Sequence, residues 1–132
     1  MKKAITLIML AVALLLGAAN ADARSNAGKG YKIEKGQIIP TTNKPVIVDF
    51  YADWCGPCKM FAPIFEEAQK RYGSKAIFIR IDVDQEEDVA RRYHIQSIPT
   101  TMVVLDKGND HRKAVGYMNE ERLMEFISPF LK

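Results

Sequence analysis

Apolar and polar positions along this 132-residue chain separate into segments with different periods. Residues 46–51, VIVDFY, are β-branched and aromatic, and apolar on both alternating faces except at Asp49. That pattern predicts a strand covered on both sides, as at the centre of a parallel sheet. From residue 57 to 72, Met60, Phe61, Ile64, Phe65 and Ala68 recur at helical spacing. Pro57 suits the first turn of that helix, Pro63 predicts a kink inside it, and Gly73 ends it. Residues 76–83, AIFIRIDV, predict a second strand. QEEDVARRY then carries acids in the first turn and arginines in the last turn of a predicted helix, complementing its dipole. TTMVVLD, KGND and HRKAVGY predict a strand, a turn and the returning strand of a hairpin. Asn119 predicts the N-cap of a final helix, EERLMEFISPFL. Near the start, YKIE predicts a short edge strand, and GQIIPTTNKP, with two prolines and several turn formers, predicts no long helix. Strands alternating with helices predict an α/β fold whose parallel sheet gains an antiparallel edge from the late hairpin.

The first residues follow a different rule. Lys2 and Lys3 precede an apolar run over residues 4–16, interrupted only by Thr6, and small residues then offer cleavage after Ala21 or after Ala23. This is the layout of a secretory signal peptide, and its apolar core is shorter than the roughly 20 residues that span a bilayer. No cysteine lies near the cleavage region, so no lipid anchor on a new N-terminal cysteine is expected. The expected organisation is a signal peptide at 1–23, a polar flexible leader at 24–30 and one domain at 31–132.

Charge adds little. The formal net charge is +3, with the charges interspersed and no basic stripe, so nucleic acid is not an expected partner. The cysteine count says more. Export leads to compartments where disulfides form, yet two cysteines three positions apart make a poor framework, because so short a loop removes little entropy from the unfolded chain.

Those cysteines lie in Trp54-Cys55-Gly56-Pro57-Cys58, after the buried strand and at the start of the first helix. One helical turn brings both sulfurs within bonding distance, and the positive end of the dipole favours the Cys55 thiolate. Cys55 is then the attacking thiol, left exposed by the Gly-Pro pair, and Cys58, shielded one turn in, resolves the mixed disulfide. Zinc needs four ligands, and His94 and His111 lack ligand spacing, so no metal is expected. The acidic stretch DVDQEED lacks the glycine and spacing of a calcium loop. Asp49 is the second clue. A carboxylate inside a doubly covered strand has a raised pKa, and six residues before Cys55 it can lie beneath the helix start. There it could exchange a proton with Cys58. The alternative is an aspartate satisfied by local hydrogen bonds at a strand end.

VDFYADWCGPCKM, with its following Ala-Pro, resembles the thioredoxin family, and the resemblance continues through IDVDQEEDVARRYHIQSIPTTMVV and AVGYMNEERLMEFI. It implies a thioredoxin-like fold, a central mixed sheet of four to five strands flanked by helices. It also implies protein-disulfide reductase activity with Cys55 as nucleophile, Cys58 as resolving cysteine and Asp49 as buried proton acceptor. By the same resemblance Pro99 follows a cis peptide, and Trp54, Gly56, Pro57, Ile98, Pro99 and Gly116 line the substrate groove. Tyr117 and Met118 follow as a possible apolar rim or as ordinary packing. No cofactor is implied beyond the Cys55–Cys58 pair.

Two departures stand out: the family's helix before the Asp49 strand is missing from GQIIPTTNKP, and Arg80 replaces the usual lysine near the aspartate. Cys-Gly-Pro-Cys and Asp49 resemble the reducing members. An oxidase or isomerase, and a binding module that uses the groove without the thiols, remain as alternatives. The expected partners are disulfide-bonded exported proteins and a membrane electron donor, for a monomer in the periplasm.

Overall fold

The computed structural model describes residues 27–132. The expected signal peptide and residues 24–26 of the expected leader lie outside the described residues. Residues Ala27–Lys29 form a single 3-10 turn, and Gly30 is buried at φ +88, where a Cβ would stand 2.8 Å from Ile77 Cδ1.

Nine elements follow: β1 (Tyr31–Glu34), β2 (Gln37–Pro40), β3 (Val46–Tyr51), α1 (Gly56–Tyr72), β4 (Ile77–Asp82), α2 (Glu87–Arg92), β5 (Thr100–Leu105), β6 (Asp110–Val115) and α3 (Glu120–Ile127). The main sheet has the order β4-β3-β5-β6. β3 and β4 run parallel, joined by α1, whereas β5 is antiparallel to both β3 and β6. The sheet is therefore mixed, as expected, with β3 at its centre.

Each face of the sheet has its own core. Ile47, Phe78 and Val103 project toward α1 and α3 and pack with Phe61, Phe65, Ala68, Leu123 and Ile127. Phe61 and Phe65 are fully buried, each contributing about 1.5–3 kcal/mol of apolar burial. The Phe65 and Phe78 rings meet edge to face at 5.5 Å. On the other face Val46, Val48, Phe50, Met102 and Val104 pack with Val89 and Tyr93 around α2 and with Ile33 and Ile38 of the first hairpin. Two cores explain why VIVDFY is apolar at both alternating positions.

The segment GQIIPTTNKP holds no helix, but it is not irregular either. β2 pairs antiparallel with β1 in a separate two-stranded sheet. The connecting Lys35 and Gly36 both have positive φ, the geometry of a primed two-residue turn that matches strand twist. The hairpin covers the sheet face where α2 lies, and the Tyr93 hydroxyl holds it by accepting from Ile38 N–H at 2.8 Å.

Several boundaries moved. Met60 belongs to the apolar pattern but stands 64% exposed, because the buried arc of α1 runs through Cys58, Phe61, Phe65 and Ala68. α1 continues unbroken through Pro63 to Tyr72. β6 stops at Val115, before Gly116 at φ +102. α3 ends at Ile127 and gives way to a 3-10 turn over Ser128–Phe130, since Pro129 brings no N–H to continue the ladder. Asn119 caps α3 as expected, its Oδ1 accepting from Arg122 N–H at 2.9 Å.

Candidate active site

β3 delivers the chain to the C-terminal end of the sheet, and residues 52–55 turn it into α1. Cys55 itself is the N-cap residue of that helix, with extended φ −88 and ψ 109. Its Sγ accepts the Cys58 backbone N–H at 3.2 Å, where a serine or aspartate oxygen would serve in other helices. The two cysteines are joined in a disulfide, with Cα atoms 5.2 Å apart. A reduced Cys55 in this place faces an unshared helix N–H and the positive end of the dipole, both of which favour the thiolate.

The structure corrects one expectation. Cys55 is only 5% exposed, so the Gly-Pro pair does not lay the sulfur open. It is still the more accessible cysteine, Cys58 being 1% exposed. Gly56 and Pro57 are themselves exposed and form the rim above it.

Across from the disulfide, the Ile98–Pro99 peptide is cis. The Ile98 carbonyl oxygen lies 3.8 Å from Cys55 Sγ. Gly116 N–H donates to the Pro99 carbonyl at 2.8 Å, tying the end of β6 to this loop. A Cβ on Gly116 would meet nothing within 4 Å, so in the free protein its positive φ, rather than lack of space, requires glycine. Trp54 stands 71% exposed beside the disulfide, its indole N–H donating to Asp84 Oδ2 at 2.8 Å. Tyr117 is half exposed next to Gly116, whereas Met118 turns into the core.

Asp49 is completely buried on the face of β3 that α1 covers. Burial raises its carboxyl pKa, and the hydrogen bond and positive charge of Arg80 oppose that rise without cancelling it. Arg80 Nε donates to Asp49 Oδ2 at 2.9 Å, and the guanidinium lies 3.9 Å from the Tyr51 ring centroid. Asp49 is thus not an aspartate satisfied at a strand end. One oxygen has a cationic donor, and Oδ1 has no partner among the described residues.

The structure therefore brings Cys55, Cys58, Trp54, Ile98 and Pro99 to one end of the sheet, with Gly116 tied to Pro99, while Asp49 lies buried in β3, the strand that leads into this turn. Sequence reasoning missed Asp84, which offers no signal beyond one acid among several. It also missed Thr101, the register partner of Asp49 on β5. Thr101 is one of two buried threonines that open β5, and nothing in the local sequence separates it from Thr100. Among the described residues no group of three or more His, Cys, Asp or Glu side chains could hold a metal ion.

Comparison with known proteins gives a consistent result. The sequence model described as Thioredoxin matches residues 19–129. A thioredoxin of Bacillus subtilis (strain 168) is 41% identical over 91 residues, covering 69% of this chain and 86% of the relative. A thioredoxin of Mycoplasmoides gallisepticum is 43% identical over 97 residues, covering 73% and 93%. Among solved structures, the reduced thioredoxin pre-protein of Schistosoma mansoni superposes with a TM-score of 0.62 at 40% identity, covering 68% of this chain and 82% of that one. Chloroplastic thioredoxin z gives 0.60 at 28%, covering 68% and 80%. With the dithiol at the cap of α1, the buried carboxylate and the four-stranded mixed sheet, this chain belongs to the thioredoxin family.

Proposed function

We propose that this protein is an exported thioredoxin-type reductase, acting on the disulfides of other exported proteins in the periplasm as a monomer. The activity class, a thiol–disulfide oxidoreductase that reduces protein disulfides, follows from the family. Export and a membrane electron donor rest on the N-terminal pattern of Lys2, Lys3 and the apolar run, together with the need to re-reduce the dithiol. No cofactor beyond the Cys55–Cys58 pair takes part in this reading.

The observation that carries the mechanism is the Cys58 N–H on Cys55 Sγ at the helix start. The Cys55 thiolate attacks one sulfur of a substrate disulfide. A new S–S bond forms, the substrate S–S bond breaks, and the leaving thiolate takes a proton from water. An extended substrate segment meets the cis Ile98–Pro99 loop and Gly116, with Trp54, Gly56 and Pro57 on the rim. Cys58 then gives its proton to Asp49 and attacks Cys55 Sγ, releasing the second substrate thiolate. Two electrons pass to the substrate, and the protein ends with the Cys55–Cys58 disulfide. The pre-formed cap geometry holds the attacking sulfur in place before substrate arrives.

The test is exchange with a disulfide-bonded protein substrate. Cys55→Ser abolishes reduction, whereas Cys58→Ser accumulates mixed disulfides that a reducing agent dissolves. Partners retained by Cys58→Ser under reducing conditions would instead indicate a binding module. Cell fractionation of the full chain tests the location: recovery in the cytoplasm with residues 1–23 intact contradicts export.

A further inference from the structure

β4, β3 and β5 lie side by side, and their register sets Arg80, Asp49 and Thr101 in one row across the sheet. Register partners project to the same face, so all three share the face covered by α1 and α3. The two outer residues treat the carboxyl differently. Arg80 donates to Oδ2 and never gives up its proton, so Oδ2 always faces a donor. A proton placed on Oδ2 would confront that N–H. The proton of a neutral Asp49 therefore belongs on Oδ1.

Oδ1 of Asp49 and Oγ1 of Thr101 are both buried, and among the described residues neither has a hydrogen-bond partner. Leaving either alone costs about 1–3 kcal/mol, and two such atoms on register partners point to a shared solution. Cβ atoms of antiparallel register partners stand about 4.5–5.5 Å apart, within reach of a side-chain rotation or a single bridging water. A hydroxyl suits both states of the carboxyl. It donates to an ionised Oδ1 and accepts from a protonated one. Thr100, one residue earlier, cannot do this, because its hydroxyl donates to the Ser97 carbonyl and it pairs with Phe50 on the other face.

We propose that Thr101 is a positioning residue for the Asp49 proton, its hydroxyl orienting Oδ1 as the oxygen that receives and returns it. The proposal rests on the reading of Asp49 as the proton acceptor of Cys58. In that step the Cys58 S–H bond breaks, an O–H bond forms on Oδ1, and the Thr101 hydroxyl turns from donor to acceptor. By register further charged residues share this face, among them Asp82, half-buried opposite Tyr51, whose Oδ1 accepts from Asp84 N–H, and Arg112, exposed opposite Val103. α1 and α3 meet it with Cys58, Phe61, Phe65, Ala68, Leu123 and Ile127, and Ala114 lies opposite Thr101 on β6. Among the described residues Arg80 is the charged group bonded to Asp49, and Tyr51 packs against its guanidinium.

The test is a carbon-13 NMR titration of the Asp49 carboxyl in the oxidised protein, where neither cysteine titrates. Thr101→Val keeps the shape and removes the hydroxyl. Because the hydrogen bond to a charged acceptor is the stronger one, the midpoint should rise by about one pH unit. Thr101→Ser should return it to the wild-type value. Thr101→Ala, with the same expected rise, serves if the valine variant fails to fold. An unmoved midpoint in the hydroxyl-free variants, or a serine variant that behaves like valine, overturns the proposal and leaves Thr101 as packing. A second readout separates this from the redox reading. If the midpoint moves but the pH profile of mixed-disulfide resolution by Cys58 does not, then Thr101 orients the carboxyl and Asp49 is not the acceptor for Cys58.

Discussion

The Cys58 backbone N–H donates to Cys55 Sγ at 3.2 Å, so the proposed nucleophile is also the N-cap of the helix that carries its partner. Reactivity and helix stability are thereby joined in one atom. In the reduced protein, Cys55→Ser keeps a capping acceptor and Cys55→Ala removes it. The alanine variant should be about 1 kcal/mol less stable than the serine variant, while both lack activity. Urea denaturation of the two variants checks this, and equal stabilities would mean that the sulfur contact does not cap α1.

Asp49 has a definite sign in the pH dependence of stability. Its folded pKa is raised above the ordinary 3.8, mainly by burial, with Arg80 opposing. The folded protein therefore holds this proton more tightly than the unfolded chain. The resulting stability is fully present below the ordinary value and is lost as pH rises through the raised one. Asp49→Asn stays neutral and escapes that loss, and Arg80, 28% exposed, can turn to water when its partner is gone. Relative to wild type, the asparagine variant should gain stability between acid and neutral pH in oxidised protein. A difference that does not change with pH would show that the carboxylate is not penalised in the fold.

Trp54 is the chain's one tryptophan, so its fluorescence reports this rim alone. Asp84 holds the indole at 2.8 Å while the ring stands 71% exposed. Asp84→Ala should lower the fluorescence anisotropy of Trp54 and reduce kcat/KM toward a protein disulfide severalfold. Global stability should move by no more than about 0.5 kcal/mol, since the pair is exposed. Unchanged anisotropy would mean that Asp84 does not restrain the ring.

Much of this was legible in the sequence because the strongest signals were periodic or chemically rare. VIVDFY marked the central strand, and the asparagine before EERLMEFI marked a real cap. The five residues from Trp54 to Cys58 marked the site, because a dithiol at a helix start follows from local geometry. What escaped depends on neighbours distant in sequence. Met60 fits the apolar pattern yet is exposed, and of the two readings left open for Met118 its burial selects packing, since periodicity gives a face but not which helix or strand covers it. The exposure of Cys55 was overestimated because Ile98 of the cis loop and Val83 pack on the cysteine pair from other segments. The hairpin of β1 and β2 was read as half a strand pair, its second strand obscured by prolines at Pro40 and Pro45. Thr101 and Asp84 acquire meaning only through register and approach, which no local pattern encodes.

The most direct test of the central claim is the reduction potential of the Cys55–Cys58 pair, measured by equilibrating residues 24–132 against defined glutathione or dithiothreitol mixtures. A reductase is expected near the potential characteristic of thioredoxins, about −270 mV. A value at or above about −180 mV, the range of protein disulfide isomerase, would shift the exchange equilibrium by about a thousandfold toward substrate oxidation and contradict the assigned direction.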